Sequence, residues 1–181
     1  MKLLAFDTAT EACTAALWLD GRVLERSDHR SRHSEHLLPM IDVLLAEAGL
    51  KLSQLDAVVF GRGPGSFTGL RIGAGVAQGL AFAADLPVVP VSSLAALAQG
   101  VDADRVLAAF DARMQQVYWG AYRRAAHGRV EPLQPESVAS PAAVSWPEGS
   151  GWVGAGSGWD AYAERLMSRL GSAVERWIPA A

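Results

Sequence analysis

The chain has 181 residues, half of them hydrophobic and 19% charged, with a formal net charge of −3. That length suits one ordinary domain or two small ones, and the composition provides a sizeable core. It excludes global disorder, the net charge gives no reason to propose a nucleic-acid coat protein or a polybasic membrane binder, and the single cysteine, Cys13, excludes an internal disulfide framework and a multi-cysteine zinc site.

The N-terminal residues read as three strands. Lys2–Phe6 is short and apolar and stops at Asp7. Cys13–Leu19 follows, and Asp20-Gly21 is a hairpin-turn dipeptide that returns the chain antiparallel as Arg22–Asp28. A helix is expected over Ser34–Ala48, because Leu37, Leu38, Ile41, Leu44, Leu45 and Ala48 recur at helical spacing and Gly49 supplies a stop. Pro39 falls near its first turn, where proline is best tolerated. Ala57–Phe60 reads as a buried strand, Gly61–Phe67 as a loop, Thr68–Ala84 as a second helix, Val88–Val91 as a strand and Leu94–Gln99 as a helix.

The second half then starts over. Leu107-Ala108-Ala109-Phe110-Asp111 repeats Leu3-Leu4-Ala5-Phe6-Asp7, and each run ends at an acid where a strand should stop. An apolar strand follows each, Ala15–Leu19 and Val117–Tyr122, and a Gly-Arg-Val turn opens at Gly21 and again at Gly128. Pro132, Pro135, Pro141 and Pro147 break Glu131–Ser150 into loop, Gly151–Gly156 reads as a strand and Asp160–Leu170 as a helix. Trp177 and Ile178 are bulky and apolar where a frayed end would be polar. The fold class expected is α/β, with two ribonuclease-H-like subdomains, residues 1–102 and 103–181, facing a cleft as in the actin, Hsp70 and sugar-kinase group. In that group the acid after the first strand faces phosphate and metal. Asp7, with Thr8 and Thr10, takes the first such place and Asp111 the second; the competing reading is that Asp7 caps its own turn.

Residues 61–73 read Gly-Arg-Gly-Pro-Gly-Ser-Phe-Thr-Gly-Leu-Arg-Ile-Gly, between a strand and a helix. Such a junction holds an anion with backbone N–H groups and the helix dipole, so Gly63, Gly65 and Ser66 are phosphate candidates. A tight structural turn with Ser66 or Thr68 as helix cap explains the run equally well. No Gly-Lys-Ser/Thr closes it, and Pro64 interrupts the dinucleotide fingerprint. Within the helix, Gly69 and Gly73 are four apart, as are Gly75 and Gly79. Each pair admits another backbone, from this chain or from a partner.

At this run the sequence closely resembles the bacterial TsaB (YeaZ) family of tRNA threonylcarbamoyladenosine biosynthesis proteins. The resemblance rests on Leu4–Thr10, His33–Pro39, Gly63–Gly73 and Val91–Leu94, in order across the first hundred residues; the second half matches more loosely. It implies the two-subdomain fold and a role in placing a threonylcarbamoyl group on adenosine 37 of tRNA. It implies a scaffold rather than an enzyme. The chemistry would belong to the larger catalytic paralogue TsaD, with a small ATPase, TsaE, completing the set and tRNA reached only indirectly. The paralogue's His-x-x-x-His metal ligands fall on Ser93 and Leu97 here, neither a usable ligand. No cofactor is required on this reading, although weak ATP or ADP binding is compatible with the superfold. The family usually runs further than this sequence, so the second subdomain is expected to be cut short.

Four rival chemistries compete with that reading. The strongest is a weak nucleotide-binding ATPase or kinase-like protein of the same superfold, in which Asp7, Thr8, Thr10 and the loop Gly63–Ser66 would hold phosphates and metal. His29, His33 and His36 do not share a helix and lack a His-Glu-x-x-His arrangement, which argues against a metal site. Ser66 lacks a nucleophile elbow, which argues against a peptidase. Arg113, Arg123, Arg124 and Arg129 lie among Tyr118, Trp119 and Tyr122, a pattern for tRNA contact or for an ordinary strand with a core side. The preferred mechanism is a four-helix contact with the paralogue, or with a second copy when alone. Its expected residues are Leu37, Leu38, Ile41, Leu45, Gly69, Arg71, Ile72, Gly73 and Val76. A cytoplasmic protein is expected, since the apolar run after Lys2 is too short for a signal peptide and residues 86–101 fall short of the roughly 20 a membrane helix needs.

Overall fold

The computed structural model describes residues 1–29 and 33–179. The chain divides into two compact units, Met1–Ser93 and Leu94–Ala181. The division falls ahead of the boundary after residue 102 read from the sequence, because the helix that follows Ser93 buries its apolar side in the second unit.

In the first unit, β1 (Lys2–Asp7), β2 (Cys13–Leu19) and β3 (Arg22–Asp28) form an antiparallel meander, and β4 (Ala57–Gly61) and β5 (Val88–Val91) extend it in parallel. The order across the sheet is β3-β2-β1-β4-β5. Asp20 and Gly21 both take positive φ, 50° and 100°, as a two-residue hairpin turn of this hand requires. The N-terminal ammonium pairs with the Asp20 carboxylate and holds that carboxyl below its usual range.

Helix α1 (His33–Ala48) precedes β4, and α2 (Phe67–Ala84) connects β4 to β5. Pro39 lies in the second turn of α1 rather than the first, where it cannot donate to the carbonyl of residue 35. Both helices cover one face of the sheet. Leu37, Ile41 and Leu44 of α1 and Ala77 of α2 pack on Leu4, Phe6, Ala15, Leu17 and Val58.

The second unit repeats the order. Helix α3 (Ser93–Gly100) leads into β6 (Arg105–Asp111), β7 (Val117–Arg124) and β8 (Val130–Pro132). Then come β9 (Ser137–Ala139), β10 (Trp152–Ala155), α4 (Ser157–Leu170) and β11 (Val174–Ile178). The sheet runs β11-β10-β6-β7-β8, with β9 paired to β7. The duplication read from the sequence is therefore the architecture.

Three details differ from the expectation. Residues 131–150 are not all loop, because β8 and β9 both add to β7. Among the described residues the second half has no counterpart of α1; a 3-10 turn at Pro141–Ala143 stands in the corresponding stretch. Trp177 and Ile178 are strand residues of β11, parallel to β10, which accounts for their apolar character.

The second sheet is covered on both faces. On one side Trp119, Trp152 and Trp159 are fully buried with Leu107, Ala121 and Leu166 of α4. The Trp159 indole donates to the Leu107 carbonyl at 2.8 Å, and that of Trp119 to the Ser145 carbonyl at 2.7 Å, so each bulky ring is buried with its polar edge satisfied. On the other side Leu94, Ala98 and Val101 of the α3 segment pack on Val106, Ala108, Phe110, Tyr122, Val153 and Ala155.

Candidate functional site

The sequence pointed to two regions, the Asp7 and glycine-loop corner and the outer side of α1 and α2. The first is built at the ends of β1 and β4. Asp7 Oδ1 accepts from the Ala9 N–H at 2.6 Å, and Oδ2 accepts from the Ser93 hydroxyl at 2.6 Å. Gly61 leaves the space that the Asp7 carboxylate fills. The carboxylate thus caps its own turn and clamps the head of α3.

Thr8 is fully buried, and its hydroxyl donates to the Gly69 carbonyl at 2.8 Å. It cannot face a ligand, which corrects its place among the phosphate candidates. Thr10 Oγ1 accepts from the Ala12 N–H at 3.3 Å, and the Thr10 carbonyl meets His33 Nε2 at 2.9 Å.

The glycine loop is stitched to the same turn. Ser66 N–H donates to the Ala9 carbonyl at 2.7 Å, and Ser66 Oγ caps α2 by accepting from Gly69 N–H at 3.3 Å. The Gly63 carbonyl accepts from Ser93 N–H at 2.9 Å, and Gly65 lies against the backbone of Ala9. Asp7, Thr8, Thr10, Gly63, Gly65 and Ser66 do converge, but their polar side-chain atoms are engaged with the protein itself. Tight-turn and capping chemistry accounts for each of these contacts.

Asp111 is not the mirror of Asp7. Phe6 packs under α1 and α2, whereas Phe110 packs against α3, so the repeated runs present opposite faces. A one-residue difference in register does this. Asp111 accordingly faces α4, where Oδ1 accepts from the Tyr162 hydroxyl at 3.2 Å. Tyr162 is pushed above the ordinary tyrosine range, first by desolvation and then by the Asp111 charge.

Among the described residues no group of three or more His, Cys, Asp and Glu could hold a metal ion. His36 instead sits 3.6 Å from the Asp28 carboxylate. At the two places matching the paralogue's metal ligands, Ser93 is bonded to Asp7 and Leu97 packs in the second unit. Of the arginines, Arg124 donates to the carbonyls of Gln99, Val101, Ala103 and Gly128, closing the C-terminal end of α3. Arg113 pairs with Asp111, and Arg123 lies 3.9 Å from Glu131. Trp119 and Tyr122 are core.

The second region needs a larger correction. Leu37, Ile41, Gly69 and Gly73 are buried inside this chain. Gly69 and Gly73 admit the backbone and hydroxyl of Thr8, so that pair serves internal packing. Leu45, Ile72 and Val76 are half-buried at the flank of the same core, and only Leu38 and Arg71 of the expected set are exposed.

What lies outside is a stripe of which the sequence reading named Arg71, Gly75 and Gly79 but missed the aromatic ends. Phe67, Arg71, Gly75, Gly79 and Phe82 recur along the outer side of α2. Phe67 is 68% exposed and Phe82 94%. Nothing approaches a Cβ built at Gly75 or Gly79. The Arg71 guanidinium covers the Phe67 ring at 3.7 Å. Leu38 and Val43 are exposed on α1, which touches α2. The signal available in the sequence was Val43, Phe67 and Phe82, apolar residues out of phase with the buried stripes.

Comparison with known proteins follows from this geometry. Residues 27–155 match the family model described as "TsaD: tRNA N6-adenosine threonylcarbamoyltransferase". The chain is 47% identical to "tRNA threonylcarbamoyladenosine biosynthesis protein TsaB" of Escherichia coli, over 90% of this chain and 74% of that relative. It is 45% identical to the Haemophilus influenzae protein of the same name, over 94% of this chain and 78% of the relative. The solved structure "YeaZ from Pseudomonas aeruginosa" superposes with a TM-score of 0.90 at 46% identity, covering 99% of this chain and 84% of that one. An activator of 2-hydroxyisocaproyl-CoA dehydratase from Clostridium difficile superposes at 0.52 with 10% identity and shares the fold alone. The chain belongs to the TsaB family of tRNA threonylcarbamoyladenosine biosynthesis proteins, with the two-unit α/β fold of the actin and Hsp70 group.

Proposed function

We propose that this chain serves threonylcarbamoyladenosine formation in tRNA as a non-catalytic cytoplasmic subunit, and that it docks through the outer side of α1 and α2 onto a larger transferase paralogue. The observation that carries the reading is the exposed stripe on α2. Two aromatic side chains at its ends flank an open Gly75–Gly79 step, so a partner helix can approach the backbone closely while burying both rings. Leu38 and Val43 are exposed on α1 as well, five residues apart and so on different flanks of that helix.

Family membership supplies the pathway, and the engaged state of Asp7, Thr8 and Ser66 supports a role without chemistry of its own. The subunit acts by stabilising the competent form of its partner rather than by donating reacting groups. A small ATPase of the TsaE kind and the tRNA join through the larger subunit. Alone, the same face pairs two copies of this chain about a two-fold axis.

The test is molar mass by light scattering, for the chain alone and mixed with the larger paralogue of its organism. A dimer alone that converts to a one-to-one complex is expected. Phe82→Glu should abolish both species while leaving the circular dichroism spectrum intact. A complex that forms equally well with Phe82→Glu would overturn the docking face.

A further inference from the structure

A groove in the second unit is lined by side chains that the docking role leaves without a task. It holds about 420 Å3 and lies between the loop ahead of β10 and the turn that joins α4 to β11. That volume suits a ligand of drug size. Trp146, Leu170 and Ala173 give it an apolar wall, and Glu148, Ser150 and Ser172 give it polar groups. All six belong to one compact unit, and none belongs to the Asp7 corner or to α1 and α2.

The charges here are not matched within the chain. The Glu148 carboxylate is exposed and makes no hydrogen bond or ion pair among the described residues, and the same residues offer no partner to the hydroxyls of Ser150 and Ser172. Two guanidinium groups border the lining. Arg105 Nη1 donates to the Ser150 carbonyl at 3.1 Å, and Arg169 Nε donates to the Val144 carbonyl at 3.3 Å while its guanidinium lies 5.2 Å from the centre of the Trp146 ring. Neither arginine pairs with a carboxylate among the described residues.

This set of groups narrows the ligand. A simple organic cation would suit Trp146 and Glu148 but would meet two like charges beside them. A simple anion would suit the arginines and be repelled by Glu148. A nucleotide satisfies both, with a flat base for the indole, an anionic phosphate for the guanidinium groups and ribose hydroxyls for the serines. The carboxylate then selects the base. Ionised, it only accepts hydrogen bonds, and two parallel donors suit it best. Guanine sets two donors side by side on its pairing edge, N1–H and the exocyclic amino group. Adenine and cytosine place a bare ring nitrogen beside their amino group, and uracil flanks its one N–H with two carbonyls, so each would turn a lone pair toward Glu148.

We infer that this groove is a guanine-nucleotide site, in which the base lies against Trp146, Glu148 accepts from its pairing edge, and Arg105 and Arg169 carry the phosphate. The base has the same chemistry in a free nucleotide and as an unpaired guanine of RNA. The site shares no residue with the docking face proposed above and stands or falls without it.

The probes are GMP, AMP and a single-stranded oligouridine carrying one central guanosine, each titrated into the isotope-labelled chain and followed by NMR and calorimetry. Saturable shifts are expected with GMP at the Trp146 indole N–H and at the amides of Ser150, Ser172 and Ala173. GMP should bind about tenfold more tightly than AMP or better, since a donor edge is exchanged for a mismatched one. Glu148→Gln, at an exposed position, should fold normally and lose that preference. Arg169→Gln should weaken GMP severalfold while keeping the preference. Tighter binding of the oligonucleotide than of GMP assigns the site to unpaired guanine in RNA, and the reverse assigns it to the free nucleotide. Absence of saturable shifts with both at millimolar concentration, equal affinity for GMP and AMP, or a preference that survives Glu148→Gln would overturn the inference.

Discussion

The four glycines of α2 divide into two pairs with opposite roles, and substitution by alanine should move stability in opposite directions. Gly75 and Gly79 meet nothing within 4 Å of a built Cβ. Each therefore carries only the entropic cost of glycine in a helix, about 0.5–1 kcal/mol, and the double variant Gly75→Ala/Gly79→Ala should gain about 1–2 kcal/mol. For a chain of this size that raises Tm by roughly 2–4 °C per kcal/mol. At Gly69 a methyl group would occupy the place of the Thr8 carbonyl oxygen, and at Gly73 it would lie 2.6 Å from Thr8 Oγ1. Relief requires α2 to lift from the β1–β2 turn. Overpacking of that kind costs about 1–3 kcal/mol. Loss of the Thr8–Gly69 hydrogen bond adds about 1 kcal/mol, which cancels the gain in helix propensity. Gly69→Ala should therefore lose about 1–3 kcal/mol. The assay is urea and thermal denaturation followed by circular dichroism at two chain concentrations, so that any contribution of self-association shows as a concentration dependence. The same double variant should bind the larger paralogue more weakly, because the added methyl groups hold a partner helix off. Wild-type stability in Gly69→Ala, or a destabilised Gly75→Ala, would refute the assignment of faces.

Two further outcomes follow from single side chains. Arg124→Ala removes a cation that bonds four carbonyls at the end of α3, and should cost about 2–3 kcal/mol with faster amide exchange over residues 94–101. Burial, then the charges of Asp28 and Asp7, raise the Cys13 thiol above its ordinary value of 9.0, and the Tyr162 hydroxyl is raised above 10.0. In both cases the folded chain keeps a proton that the unfolded chain releases, so this stability is full below those ordinary values and is lost as pH rises through them. Urea melts from pH 8 to 11 should show that decline, and Cys13→Ala with Tyr162→Phe should flatten it; Cys13 should react with an aromatic disulfide only at the rate of unfolding.

Much of the architecture was legible because it is repeated. Two runs ending Phe-Asp, two Gly-Arg-Val turns and the apolar spacing of 37–48 sufficed to place most elements and the pairing of the halves. The facing of the repeats was not legible. Sequence similarity aligns Phe6 with Phe110, but strand pairing turns them to opposite sides, and nothing in a period-two pattern that is apolar at every position records which side is which. Residues 131–150 were misread for a related reason. Four prolines signal irregular chain, yet the short strands β8 and β9 avoid them except at Pro132, the last residue of β8, at the rim of the sheet.

Four of the expected contact residues lie inside the chain, and the reason carries its own rule. Helical spacing selects the apolar stripe of an amphipathic helix, and in a folded unit that stripe belongs first to the unit's own core. Leu37, Ile41, Gly69 and Gly73 were selected by that spacing, and all four are internal. An external contact must be made by what is left once the core has taken its share. Hence it lies in residues that break the amphipathic pattern: Val43 between two charged or core positions on α1, and Phe67 and Phe82 on the polar side of α2. Apolar residues in excess of what one core can bury are the sequence-level mark of a second surface, and Phe67 and Phe82 on α2 are such residues.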